Sequence, residues 1–270
     1  MPETKKLISV SDINAWIYCP RKVYLHKVCG LQISQNRNMA IGMLKHKILE
    51  EFSNKEERLI EKFDENFDSV DLVFMYEDFI KTLAKMIFVD NLTLIDKFMI
   101  DPDDILKKVL RDFAEDIKLR VKVIKDAILK GYKKETLYKN LDSIYLSEIK
   151  LESEALGLKG RVDRILISRA DNSVIPFELK SREERIFLSD ELQLTAYAML
   201  LEHQYHQKIP KGIVEVGNNK QEIEISEERR NQVMKIADEI RNIKEGEIPV
   251  MQSNFNKCRN CEFREECMKL

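Results

Sequence analysis

The apolar positions change their spacing along the chain, and the change divides it. Between residues 8 and 30 the spacing is helical, with Ile13, Trp16, Ile17 and Tyr18 apolar and Ser9 or Ser11 placed to cap the start. Pro20 must sit at a helix start or a kink, because it has no N–H to donate. A second helix is expected over 39–52, where Ile41, Leu44, Ile48, Leu49 and Phe52 recur. Residues 53–140 contain one glycine and one proline. Asp101-Pro102 marks a helix start there, Ile105, Val109, Phe113, Ile117, Val121, Ile124 and Ile128 follow at helical spacing, and Gly131 is the stop. This stretch reads as an all-helical insertion of three or four helices.

From residue 143 the period changes. Tyr145–Glu152, Gly160–Ser168 and Ser173–Ser181 are expected as strands, with Asp171-Asn172 as a turn. A helix over Leu188–His206 follows, then a hairpin of Ile213–Val216 and Glu222–Ile225 around Gly217-Asn218-Asn219. A helix over Arg229–Lys244 and a short cysteine-rich tail complete the chain. The expectation is an α/β core with helices before it. Its segments would be 1–52, 53–142, 143–250 and 251–270.

Composition narrows the function. The 270 residues are 44% hydrophobic and 34% charged, enough for a real core and against global disorder. No apolar run approaches the roughly 20 residues of a membrane span, and the first residues lack the apolar stretch of a secretory signal. A cytoplasmic protein without a membrane partner is therefore expected, with its five cysteines reduced or bound to metal. The net charge of −2 hides an asymmetry: residues 1–50 carry eight bases and three acids, residues 51–104 six bases and fifteen acids. A polyanion would be drawn to the first stretch and repelled by the second. On this basis a polyanion is expected along Arg21, Lys22 and Lys45, with Trp16, Tyr18 and Tyr24 as aromatic candidates for stacking beside it.

Several constellations carry candidate chemistry. Gly42-x-x-x-His46-x-x-x-Glu50 places His46 and Glu50 on one helix face. Asp163, in Gly160-Arg161-Val162-Asp163, interrupts an apolar strand pattern, and Gly160 permits close backbone approach. Glu178 and Lys180 lie two apart in an apolar strand and so share a face. Alone that pair reads as a cross-strand salt bridge. Read as chemistry, the carboxylate ligates a hard divalent cation and the lysine orients or deprotonates a water. His46, Asp163, Glu178 and one backbone carbonyl would suffice for Mg²⁺, and Mn²⁺ tolerates the imidazole better. Gln193 and Tyr197 are one helical turn apart on the next helix.

The cysteines are the most specific signal. Cys258-x-x-Cys261 and Cys267 end the chain, while Cys19 lies in Tyr18-Cys19-Pro20-Arg21-Lys22, far upstream. Three clustered thiolates plus a remote one favour a [4Fe–4S] cluster over zinc, whose structural sites more often show two paired knuckles. Cys29 is the odd one and is expected as a small buried hydrophobe.

This ordered set resembles the RecB-like branch of the PD-(D/E)-x-K nucleases and, more closely, the CRISPR-associated "Cas-four" iron–sulfur exonuclease family. The resemblance covers roughly residues 8–52 and 143–270. It implies a nuclease core with a Mg²⁺ or Mn²⁺ site, a C-terminal iron–sulfur knot, and exonuclease activity on single-stranded DNA ends. It also implies processing of spacer precursors with the CRISPR integrase complex, and it leaves room for a homo-oligomer. His46, Asp163 and Glu178 carry over as metal ligands, and Lys180 as the water-activating residue. Gln193 and Tyr197 carry over as supports for DNA or the active site, and Cys19, Cys258, Cys261 and Cys267 as cluster ligands. The length of the 53–142 insertion leaves room for a RecB- or AddB-like repair nuclease, and a non-catalytic iron–sulfur DNA-end binding module is the remaining alternative.

Overall fold

Cys19-Pro20 breaks the first helical stretch in two. The residue before proline is pushed out of the helical region, and Cys19 is extended, with φ −168° and ψ 122°. In the computed structural model, which describes residues 6–180, 185–216, 219–252 and 254–270, a short strand β1 (Ile8–Ser9) leads into α1 (Val10–Tyr18), and α2 (Pro20–Lys27) starts on the proline. Ser9 holds the N-cap position of α1, but its side chain makes no capping bond. Helix α3 (Arg37–Ile60) starts earlier and ends later than the 39–52 stripe, because the Asn36 side chain caps it by accepting from the Met39 amide.

Helices α4 (Ser69–Asp90), α5 (Leu92–Lys97), α6 (Pro102–Leu129) and α7 (Glu135–Lys139) follow. Asp68 and Asp71 form a capping box on α4. Asp101 caps α6 with Pro102 in its first turn, and Gly131 just beyond the end takes φ +92°. All seven apolar residues of the expected α6 stripe are buried. Strands β2 (Ser143–Ser153), β3 (Leu158–Ser168) and β4 (Val174–Lys180) then precede α8 (Leu188–Tyr205). The chain ends through β5 (Lys211–Val216), β6 (Asn219–Glu224), α9 (Glu227–Lys244), α10 (Phe255–Arg259) and α11 (Arg264–Cys267). Ser181 of the expected third strand, and Gly217 and Asn218 of the expected turn, lie outside the described residues. Asn219 is in strand β6, paired with Val216.

The described residues form a mixed α/β fold with a six-stranded sheet. Its order is β1-β3-β4-β5-β6, with β2 paired to β3. β1 runs parallel to β3, β4 parallel to β5, and β5 antiparallel to β6. A parallel pair needs a crossover connection, and α8 supplies it between β4 and β5. Eleven of its eighteen residues are buried, which marks a helix enclosed on most sides. No helix among the described residues is long and apolar enough to cross a membrane.

The chain divides into two compact units. The first comprises residues 1–34, 149–162 and 175–270; the second comprises 35–148 and 163–174. Within the second, Asp171 closes the turn after β3, and bonds from Ser168 and the Ser173 amide and side chain hold its carboxyl down at about 2. Within the first, Gly160 meets neighbours that leave no room for a side chain. A Cβ there would stand 2.8 Å from Tyr197 Cε1 and 2.9 Å from Val10 Cγ2. Neither a ring carbon nor a β-branched methyl can swing away freely. Gly160→Ala is therefore expected to cost about 1–3 kcal/mol of stability, read as a lower urea midpoint at unchanged slope; a wild-type midpoint would contradict this packing.

Candidate active site

The first unit carries the lysine constellation. At the end of β4 successive side chains alternate in direction, so Glu178 and Lys180 share a face. The pair is a salt bridge within one strand rather than across two, with Nζ 2.5 Å from Glu178 Oε1. Nζ also donates to Gln193 Oε1 at 2.9 Å and lies 3.6 Å from Asp190 Oδ1. Gln193 in turn donates to the Tyr197 hydroxyl at 3.4 Å and accepts from Asn14 at 3.5 Å. Glu178 and Asp190 are buried, and Lys180 is nearly so. Four of the expected site residues thus meet in one place. Asp190 is an addition. Its position in the first turn of α8, where the other carboxylate oxygen accepts from the Phe187 amide, makes it read in sequence as a helix cap.

The second unit carries a different cluster. His46 Nδ1 is 2.5 Å from Glu148 Oε1 and 3.9 Å from Asp163 Oδ1. One ligand atom from each of the three falls within 4.8 Å of the others. The side chains of Glu148 and Asp163 are 3% and 10% exposed and that of His46 42%, so the imidazole is the solvent-facing side. Two carboxylates and an imidazole suit a divalent cation such as Mg²⁺ or Mn²⁺, and the two like charges would be offset by it. Asp163 lies in the middle of β3, where four successive residues are buried.

Glu148 is the residue that sequence reasoning missed. It stands in β2 at φ +58°, a left-handed conformation that costs a residue with a side chain roughly 1–2 kcal/mol. The alternation of the strand breaks there, since Ser147 and Glu148 are both buried. A periodicity argument cannot find a residue that departs from the period.

The cysteine tail belongs to the first unit. The Tyr18 hydroxyl is pushed up by burial and then by Cys261, Cys19 and Cys258 around it, and Cys261 is pushed up by its own burial, with Lys22 opposing. Arg21 Nη1 reaches Cys267 at the carbonyl oxygen (3.1 Å) and at Sγ (3.8 Å). Cys19, Cys258 and Cys261 thus lie near Tyr18 and Cys267 against Arg21, and four thiols are a donor set of the kind that fits an iron–sulfur group. Cys29 is exposed, which corrects the expectation of a buried residue; it follows the end of α2, where the chain leaves the core.

A family model for the PD-(D/E)XK nuclease superfamily matches residues 7–268. The chain belongs to that superfamily. It is also 32% identical over 152 residues to a CRISPR-associated exonuclease Cas4/endonuclease Cas1 fusion of Leptospira interrogans. That match covers 51% of this chain but 28% of the fusion's length. The crystal structure of SSO0001 matches with a TM-score of 0.30 and 21% identity over 60% of this chain and 80% of that one. The family model makes the chain a PD-(D/E)XK nuclease, and over about half its length it is similar to the Cas4/Cas1 fusion.

The bases of the expected polyanion path also have partners within the protein. Arg21 Nε donates to Pro249 O at 2.9 Å, and Lys22 pairs with Glu262 at 2.7 Å. Lys45, in the second unit, pairs with Asp112 at 2.7 Å. Tyr18 lies beneath the ammonium groups of Lys22 and Lys257, 5.2 and 5.5 Å from its ring centre. Arg21, Lys22 and Lys45 thus each make a contact within the protein. Arg21→Gln is expected to loosen the tail, seen as faster proteolysis within residues 250–270, while the salt dependence of DNA binding stays as in wild type. A slope reduced by about one would instead return Arg21 to the DNA path.

Proposed function

We propose that this nuclease is a metal-dependent exonuclease that acts on single-stranded DNA ends and processes spacer precursors with the CRISPR integrase complex. The observation that carries the reading is the Lys180 ammonium fixed between buried Glu178 and Gln193 at the end of a strand in a PD-(D/E)XK chain. The fusion relative, named for an exonuclease joined to Cas1, supports the assignment to CRISPR adaptation.

The roles follow the family pattern. Within the second unit His46 and Asp163, joined by Glu148, would hold Mg²⁺ or Mn²⁺, while Glu178, which the resemblance assigns as a ligand, holds Lys180 at the end of β4. Bound there, the cation supplies Lewis-acid stabilisation of a phosphoryl oxygen and acidifies a water. Lys180 orients the attacking water and offsets negative charge that develops at the phosphate. Gln193 fixes the ammonium through its amide oxygen, and Tyr197 fixes the amide. Cys19, Cys258, Cys261 and Cys267 would hold a [4Fe–4S] cluster that ties the α1–α2 corner to the tail. Residues 53–142 are the helical insertion of this reading, 143–250 the nuclease core, and 251–270 the cysteine knot.

Glu178→Ala and Lys180→Ala are each expected to lower Mg²⁺- or Mn²⁺-dependent degradation of an end-labelled single strand by orders of magnitude, with folding and DNA binding retained. Full activity in either variant would support a non-catalytic DNA-end binding module instead. Anaerobically prepared protein is expected to be brown with about four irons per chain. Cys19→Ala should lose iron, and Cys29→Ala should keep it. Stoichiometric zinc without iron would refute the cluster.

A further inference from the structure

Four of the charged side chains buried in the second unit fall in one network. Glu56, Asp116, Arg120 and Arg164 are each at most 6% exposed. The Glu56 carboxylate accepts from the Arg120 guanidinium and, at 2.9 Å, from the Tyr76 hydroxyl. Asp116 accepts from Arg164. The Tyr145 ring links the two pairs, with its centre 4.6 Å from Arg120 Cζ and 5.7 Å from Arg164 Cζ. Burying ion pairs seldom stabilises more than apolar residues of the same volume would. Their advantage is direction: a guanidinium fork meets a carboxylate in a fixed geometry, whereas leucines slide past each other.

The directed contacts fall on the elements that carry the metal cluster. Glu56 is on α3, which bears His46. Tyr145 is three residues before Glu148 on β2. Arg164 follows Asp163 on β3 and points the opposite way. A further tie is Ser53, seven residues after His46 and so on the same helix face. Its hydroxyl accepts from the Ser147 amide at 2.9 Å, next to the strained Glu148. Helix α6 carries none of the three metal-site residues but supplies Asp116 and Arg120.

Resting on the reading that His46, Glu148 and Asp163 hold a divalent cation, we propose that this buried charge ladder sets their geometry. Helix α6, within the segment read as an insertion, is then a positioning part of the metal site through Asp116 and Arg120. Groups that orient metal ligands typically change metal affinity 10- to 100-fold when lost.

The test is Mn²⁺ binding to the full chain, followed by electron paramagnetic resonance, with circular dichroism and melting temperature alongside. Asp116→Asn is expected to raise the Mn²⁺ Kd at least about tenfold while the secondary structure is retained, and Asp116→Glu to recover part of the loss. Leu72→Ala, in the buried face of α4 and on no element of the cluster, is the matched control. It should lower the melting temperature at least as much and leave the Kd within about twofold, as expected of a cavity that disturbs stability alone. A wild-type Kd in Asp116→Asn, or equal weakening in Leu72→Ala, would overturn the proposal. Should Asp116→Asn fail to fold, Arg120→Lys keeps the charge and loses the fork, and an unchanged Kd there overturns it equally. A wild-type protein that takes up no Mn²⁺ would overturn the metal reading itself and the proposal with it, an outcome distinct from the others.

Discussion

A carboxylate taken out of water must find a positive charge or lose its own, and this chain buries many. Asp12, Glu56, Asp116, Glu148, Asp163, Glu178 and Asp190 are all at most 7% exposed. Asp12 meets Lys27 and Lys244, each at 3.0 Å, and so joins α1 to the ends of α2 and α9. Glu56 and Asp116 meet Arg120 and Arg164. Glu178 and Asp190 share Lys180. Glu148 and Asp163 meet at an imidazole, whose charge depends on its protonation. Most of these pairings tie two elements together; the buried Arg120 and Arg164 do so apart from the candidate chemistry, which sits at Lys180 and His46. Arginine stays charged and forked, which suits it to building; lysine and histidine can exchange protons or ligands.

Much of the fold was legible because its elements obey simple periods. The α6 stripe, the Asp101-Pro102 start, the Gly131 stop and the β2–β4 strands all follow from spacing and turn chemistry. What escaped did so for identifiable reasons. Asp116 and Arg120, one turn apart on α6, look like an exposed i,i+4 pair, and only the tertiary partners Arg164 and Glu56 reveal them as buried. Glu148 breaks the alternation of its strand. Cys19 was legible as a ligand candidate, but the extended corner that presents it comes from Pro20 acting on the residue before it.

Glu178, Lys180, Gln193 and Tyr197 meet as their spacing suggests, and His46 meets Asp163. The charge count of the first fifty residues points to a polyanion, and within the fold Arg21 and Lys22 also contact the tail. Net charge over a segment reports what a chain could attract, and the folded partners decide what remains available.

The account turns on a divalent cation held by His46, Glu148 and Asp163. Crystals of the protein soaked in Mn²⁺ and measured at the manganese absorption edge test this most directly. The account predicts an anomalous peak within coordination distance of His46 and Asp163 that disappears in Asp163→Ala. A peak confined to the cysteine tail, or one that survives Asp163→Ala unchanged, would contradict it.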